Sequence, residues 1–339
     1  MTQLPQNKQL KGKPIRIAGF GEYLPQQVLS SEIEEKFGLY AGWSERYSGV
    51  TSRHHVTFET NAYMGARAVE QALENCSVSL SEIDLLISAA ATYDYPIPNS
   101  ASVIKSELKE GHQFTFPAID VDSTCLSFVS AFEIAANLLD GRQYKKIIIV
   151  SSEVSSKGLN PENTETITLF GDAAIAVIVQ YDEESDSRFI KGGLQTYSEG
   201  VYDAIIEAGG TKFSFKDYAY DQKLHSFAMN GKNLLRLAKK CIPHFMEHFF
   251  HDLPITILDT DAIVPHQASK AGLLLFKSLY PFRENQVKDS LSTLGNCIAA
   301  SIPLAFYHSI KAGEIKRGDI CLLSGTSAGF SIGGVLIKY

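Results

Sequence analysis

The same order of elements occurs twice along this 339-residue chain, and that repetition constrains the fold more than any single motif does. In the first occurrence a helical pattern over 63–74 precedes the apolar run Asp84-Leu85-Leu86-Ile87-Ser88-Ala89-Ala90. A strand at 116–121, a small-residue loop, a helix over 127–139 and two buried strands at 145–152 and 173–179 follow. In the second, a helix over 231–250 precedes Asp261-Ala262-Ile263-Val264-Pro265-His266, then a loop and helix beginning at Gly295-Asn296-Cys297, then strands at 319–324 and 329–339. The polar run 181–188 separates the two, so halves of 1–182 and 183–339 are expected. Alternating strands and helices imply right-handed crossovers and a mostly parallel sheet in each half, the two facing each other about a pseudo-dyad.

Cys125 stands where an apolar strand meets a helix, and His266 and Asn296 stand at strand-end and loop positions of the second half. Reactive groups of parallel sheets gather at the carboxyl ends of strands, which places all three near the junction between halves. A thiol at a helix N-terminus is expected to have a lowered pKa, since unpaired N–H groups and the helix dipole favour the thiolate. An isolated cysteine is also ordinary core filling, and Asn296 after Gly295 reads equally as a turn residue or cap. The small-residue loop Ser324-Gly325-Thr326-Ser327-Ala328-Gly329-Phe330 lets backbone N–H groups approach an oxyanion. Gly19-Phe20-Gly21 lacks the third glycine of a dinucleotide fingerprint.

Composition excludes other classes. No apolar run approaches the ~20 residues of a membrane span, and the first seven residues, Met1 to Asn7, lack the apolar core of a secretory signal. Five scattered cysteines argue against a disulfide framework or zinc site and suit a reducing cytoplasm. A net charge of -7 disfavours nucleic acid.

Over nearly its whole length the chain resembles the thiolase-fold condensing enzymes, and among them β-ketoacyl-acyl-carrier-protein synthase III. The likeness rests on Thr124-Cys125-Leu126-Ser127-Phe128, Val264-Pro265-His266-Gln267-Ala268 and Gly295-Asn296-Cys297-Ile298-Ala299-Ala300-Ser301-Ile302-Pro303, in order and spacing. Gly19 to Pro25, Trp43, Gly49-Val50, Phe170-Gly171-Asp172-Ala173-Ala174 and Met229-Asn230-Gly231 add to it.

The resemblance implies an α/β thiolase fold, with pseudo-duplicated halves in an α-β-α-β-α sandwich, and a cytoplasmic homodimeric acyltransferase of fatty acid or polyketide-type metabolism without cofactor or metal. Cys125 would take an acyl group from a thioester of coenzyme A or acyl carrier protein. The backbone N–H groups of Cys125 and Ala328 would form the oxyanion hole. His266, which would also favour the thiolate, and Asn296 would hold the enolate from a decarboxylating malonyl or β-ketoacyl thioester.

Trp43, Arg46, Ile97, Leu126, Gly231, Lys270 and Phe330 would contact substrate. Leu126-Ser127 replaces the usual Ala-Gly and would narrow the space beside the nucleophile. The basic residues Arg46 and Lys270 fall one place early, and Ile97 would reach a neighbouring subunit's acyl pocket. The other readings are a non-decarboxylative condensing enzyme, a thiolase, a Cys-His-Asn hydrolase and an inactive scaffold subunit of a heterodimer. The thiolase would need a second cysteine in the loop 325–330, which has none.

Overall fold

The computed structural model describes residues 10–339 apart from 215, 217 and 218, so the reading of Met1 to Asn7 lies outside the described residues. The first half runs β1 (Ile15–Tyr23), β2 (Gln26–Leu29), α1 (Ser30–Lys36), α2 (Trp43–Tyr47), β3 (Ser52–His55), α3 (Asn61–Cys76), β4 (Leu85–Ser88), α4 (Ser100–Glu107), β5 (Ala118–Asp120), α5 (Ser127–Leu138), β6 (Lys146–Glu153), α6 (Thr164–Leu169) and β7 (Ala173–Tyr181). The second runs β8 (Arg188–Thr196), β9 (Ala204–Ile205), β10 (Ala228–Met229), α7 (Gly231–Phe250), β11 (Ala262–Pro265), α8 (Lys270–Leu279), α9 (Leu291–Leu294), α10 (Ser301–Lys311), β12 (Ile320–Ser327) and β13 (Ser331–Lys338).

The strands form two main sheets of matching order, β1-β7-β6-β4-β5 and β8-β13-β12-β11. A parallel bridge between Ile263 and Val287 stands beside β11 where β5 stands beside β4. Each sheet is buried on both faces, and the two-residue period of its strands assigns each side chain to one face. Ile87, Ile147 and Ile149 meet α5, α10 and the second sheet in one central cluster with Phe128, Phe132, Phe306, Leu323 and Val335. Their alternates Leu86, Ile148 and Val150 pack outward against Met64, Val69 and Ile104 of α3 and α4. On the far side Ile263, Leu322, Ile332 and Leu336 pack against Phe245, Met246 and Phe249 of α7 and Phe276 of α8. The layers are therefore α-β-α-β-α, with α5 and α10 in the middle.

The sheets are mixed rather than mostly parallel. β4, β5 and β6 run parallel, but β7 returns antiparallel to β6 and β1 antiparallel to β7. In the second sheet β11 and β12 run parallel, while β13 is antiparallel to β12. The tight turn Ala328-Gly329-Phe330 joins β12 to β13, and a parallel crossover needs a dozen or more residues. Gly329 and Phe330 make that turn with φ of 78° and 45°.

Candidate active site

The duplication extends to single hydrogen bonds around Cys125. Thr124–Leu126 forms one 3-10 turn ahead of α5, as Ile298–Ala300 does ahead of α10. The Ser123 N–H donates to Ser127 Oγ at 2.9 Å, and the Cys297 N–H donates to Ser301 Oγ at 2.9 Å. The Thr124 N–H donates to Asp122 Oδ1 at 2.7 Å, and the Ile298 N–H donates to Asn296 Oδ1 at 2.9 Å. Thr124 and Ile298 adopt φ of 51° and 49°, a region costly for β-branched residues. The structural counterpart of Cys125 is therefore Ala299, and that of Asn296 is Asp122. One fold carries two such turns, and only the first bears a thiol at its central residue.

The turn after β12 closes on Cys125. Thr124 Oγ1 donates to the Ala328 carbonyl at 3.1 Å, and the Ala328 N–H points at the Cys125 sulfur as a donor.

His266 follows β11 and is held by its backbone N–H donating to the Ser324 carbonyl at 2.9 Å. A Cβ on Gly325 would lie 2.5 Å from the His266 Cβ, so only glycine permits this approach of β12. Nδ1 is buried without a partner, which leaves Nε2 as the ring nitrogen open to the cavity. Burial lowers the imidazole pKa to about 4, so His266 is neutral at neutral pH and carries one N–H.

Asn296 is fixed by a parallel bridge to Phe170. The preceding Gly295, at φ 67°, passes so close to the Leu169 carbonyl that a Cβ would lie 2.4 Å from it. With Oδ1 taken by Ile298, the Asn296 amide donates one N–H to the Ala268 carbonyl at 3.1 Å. Its second N–H is unspent.

The resting site is uncharged, which corrects the expected lowered thiol pKa. Burial, followed by the charge of Glu153, raises the Cys125 thiol to about 12 against the donors at Ala328 and Cys125. The 3-10 turn also displaces the sulfur from the first turn of α5. With His266 neutral, no resting imidazolium favours a thiolate.

Glu153 ends the buried strand β6. Its Oε1 accepts from the Ala91 N–H at 2.9 Å and the Ala299 N–H at 3.3 Å, and its Oε2 from the Thr92 N–H at 3.0 Å and hydroxyl at 2.6 Å. Its carboxyl thus caps the counterpart of the Cys125 turn. Burial raises its pKa to about 8 despite these donors. Alkylation of Cys125 by iodoacetamide should rise steadily with pH. At about pH 9 it should be about threefold faster in Glu153→Gln, because a nearby anion no longer opposes the thiolate. A rate-versus-pH series checks this, and a slower or unchanged variant counts against the assignment.

Cys125, His266 and Asn296 open on one cavity of about 840 Å³ between the halves, together with Ala328, Gly231 and Phe330. The other expected contacts lie elsewhere. Leu126 is fully buried in the core between the sheets and does not line the cavity, so it cannot narrow the space beside Cys125. Trp43, Arg46 and Lys270 are also absent from the lining but form one unit beside it. Lys270 Nζ donates to the Glu45 and Arg46 carbonyls at 3.2 Å each, and the Trp43 and Tyr47 rings pack 4.7 Å apart. The following residues of α8, Ala271 and Gly272, do line the cavity. Ile97 is 87% exposed on the loop before α4, away from the cavity. Sequence reasoning missed Glu153, although a carboxylate closing the apolar run Ile147-Ile148-Ile149-Val150 was a visible signal. It named Gly325 only as part of the small-residue loop, missing its close approach to His266, and it missed the apolar residues of α7. Among the described residues no group of three or more His, Cys, Asp or Glu could hold a metal ion.

Comparison with known proteins assigns the chain to a family. Residues 119–198 match the family 3-Oxoacyl-[acyl-carrier-protein (ACP)] synthase III, and residues 250–339 match its C-terminal part, together half of the chain. Beta-ketoacyl-[acyl-carrier-protein] synthase III of Rickettsia bellii is 29% identical over 327 residues, 96% of this chain and 99% of that protein. The crystal structure of 3-oxoacyl-[acyl-carrier-protein] synthase III from Aquifex aeolicus superposes with a TM-score of 0.83 at 24% identity, over 96% of this chain and 100% of that one. The priming β-ketosynthase of the R1128 polyketide biosynthetic pathway superposes with a TM-score of 0.84 at 23% identity, covering 98% of each chain.

Proposed function

Because this chain belongs to the 3-oxoacyl-[acyl-carrier-protein] synthase III family, we propose that it is an acyltransferase that builds β-ketoacyl thioesters by decarboxylative Claisen condensation at Cys125. The observation that carries the reading is that Cys125, His266 and Asn296 share one cavity, with the Ala328 N–H at the sulfur.

In the first half-reaction the Cys125 sulfur attacks the carbonyl of an acyl thioester. The backbone N–H groups of Cys125 and Ala328 hold the oxyanion. The carrier's sulfur leaves and takes the thiol proton. Since the resting thiol is protonated, proton departure accompanies attack and does not precede it.

In the second, the Nε2–H of His266 and the unspent N–H of Asn296 hold the thioester carbonyl of a malonyl-type extender. Its bond to the carboxylate breaks, carbon dioxide leaves, and the resulting enolate attacks the acyl-Cys125 carbonyl. The Cys125 thiolate is released and takes a proton from water. A neutral imidazole suits this role, because it donates a hydrogen bond without giving up a proton to the carbanion.

Thiolase chemistry is disfavoured because Cys125 is the one cysteine lining the cavity, while Cys241, Cys297 and Cys321 are buried. The five unpaired thiols fit a reducing cytoplasm, and among the described residues no helix is long and apolar enough to cross a membrane. Intact-mass spectrometry with a panel of acyl-coenzyme A and acyl-carrier thioesters tests the reading. One acyl adduct should form, on Cys125; no adduct from any donor would refute it. The same panel decides between coenzyme A and carrier protein as the delivering group.

We place a homodimer contact at β5, the edge strand of the first sheet. Exposed Ile119 on it and exposed Tyr93, Tyr95 and Ile97 on the loop before α4 are too apolar to leave wet. Sedimentation should give twice the 37.3 kDa chain mass, and Ile97→Asp should shift it toward the monomer. A monomeric wild-type protein would contradict the contact.

A further inference from the structure

The proposed chemistry leaves Glu153 idle, although its carboxyl is fully buried where the two halves meet. Its hydrogen-bond donors are all uncharged: the N–H groups of Ala91, Thr92 and Ala299 and the Thr92 hydroxyl. A buried carboxyl held by no cation is costly, so its place needs a reason beyond packing.

The duplication supplies one. β6 pairs with β4 and β12 with β11 in the same register, Ser88 opposite Val150 and Pro265 opposite Ser324. Glu153 then ends β6 at the position where Ser327 ends β12. Each strand end reaches across to the other half's turn. Just past β12, Ala328 meets Thr124 and Cys125 of the first half. At the end of β6, Glu153 Oε1 accepts from the Ala299 N–H of the second half at 3.3 Å. Ala299 is the counterpart of Cys125, so the N–H that Glu153 occupies corresponds to the one the proposed chemistry gives to the oxyanion. A carboxyl oxygen of the protein itself stands at the second turn.

That contact bears on Asn296. Ile298, the neighbour of Ala299, keeps a φ of 49°, which a β-branched residue holds only where its surroundings over-determine it. Its N–H donates to Asn296 Oδ1 at 2.9 Å, and this bond orients the Asn296 amide on the cavity wall. Freeing Ala299 lets Ile298 relax and moves the Asn296 donor off line. The Cys125 turn keeps its own bonds to Ser127 Oγ and Asp122 Oδ1, which do not involve Glu153.

We propose that Glu153 is the positioning residue of the second half-reaction, setting through its reach to Ala299 the Asn296 amide that holds the enolate. The inference rests on the condensing-enzyme reading and adds a residue to it. Reach rather than charge is what the role requires, and two variants separate them. Glu153→Asp keeps the charge but withdraws the carboxyl by one methylene, about 1.5 Å, beyond hydrogen-bond distance of Ala299. Glu153→Gln removes the charge but keeps the length, with an oxygen for the Ala91 and Ala299 N–H groups.

The test measures acyl loading of Cys125 by intact mass, and then β-ketoacyl thioester formation when the loaded protein meets a malonyl thioester. Misplacing a group by about 1 Å costs up to about a hundredfold, so Glu153→Asp should lower the condensation-to-loading ratio at least about tenfold. Glu153→Gln should keep the wild-type ratio. An unchanged ratio in Glu153→Asp overturns the positioning role, as does a fall in Glu153→Gln as large as that in Glu153→Asp. Equal losses of both steps also overturn it, since they mark a carboxyl that serves folding alone. If Glu153→Asp does not fold, Glu153→Gln decides by itself: a ratio lower by about tenfold overturns the role, and a wild-type ratio supports it. A wild-type protein that loads no acyl group, or forms no β-ketoacyl thioester, overturns the condensing-enzyme reading and this inference with it.

Discussion

Replacing Cys125 by alanine abolishes acyl loading: the wild-type chain gains one acyl mass from its donor and the variant gains none. The size of the effect follows from what a nucleophile contributes. Removing one from a hydrolytic triad costs on the order of 10⁶ in kcat, and no neighbouring group substitutes for it. None can do so here, since Cys297 is locked in the core with its thiol donating to the Leu294 carbonyl at 3.3 Å and its pKa raised by burial. The structural counterpart of Cys125 is Ala299, which has nothing to offer. The variant should fold, because the turn is held by Ser127 Oγ, Asp122 and the backbone, not by the sulfur. Continued acylation of Cys125→Ala would place the nucleophile elsewhere.

Asn296→Asp separates the two half-reactions. The carboxylate keeps the acceptor that the Ile298 N–H requires, as Asp122 already does for Thr124 in the first half, so the turn survives. It loses the two N–H donors, one to the Ala268 carbonyl and one to substrate. Removing a single donor to a developing oxyanion costs about 10² to 10³ in kcat. The new negative charge beside an enolate adds to that cost. Condensation should therefore fall by at least about a hundredfold relative to acyl loading. Stopped-flow or quenched assays of adduct formation and of product formation read the two steps separately. Equal losses in both would make Asn296 a structural residue of the turn.

The duplicated architecture was legible because each half repeats the same periodicity switches, and buried strands such as Ile147 to Val150 admit few other readings. The parallel-sheet expectation failed where a hairpin stands in for a crossover: a turn as short as Ala328-Gly329-Phe330 decides direction, and strand-helix alternation does not register it. Chain order put Cys125, His266 and Asn296 near one junction, since each follows an apolar strand or opens a helix, and the family resemblance singled them out from the blander readings.

Ionisation was not legible. The helix dipole argued for a thiolate, but burial and a carboxylate from β6, 28 residues on, outweigh it, and both are long-range facts. Leu126 was misread for a local reason: adjacent residues of a turn face opposite ways, and the residue after Cys125 enters the core. The part of the cavity lining that α7 supplies was invisible because Ala238, Ile242 and Met246 have the spacing of an ordinary core face. Only the packing of α8 shows that part of that face borders empty space.

The central claim is tested most directly by counting carbon dioxide. Acyl-loaded protein given a malonyl thioester labelled at its free carboxylate should release one labelled carbon dioxide for each β-ketoacyl thioester formed, and Cys125→Ala should form no β-ketoacyl thioester. A new carbon-carbon bond that retains the label, or release of the free fatty acid in place of a β-ketoacyl product, would contradict decarboxylative condensation at this site.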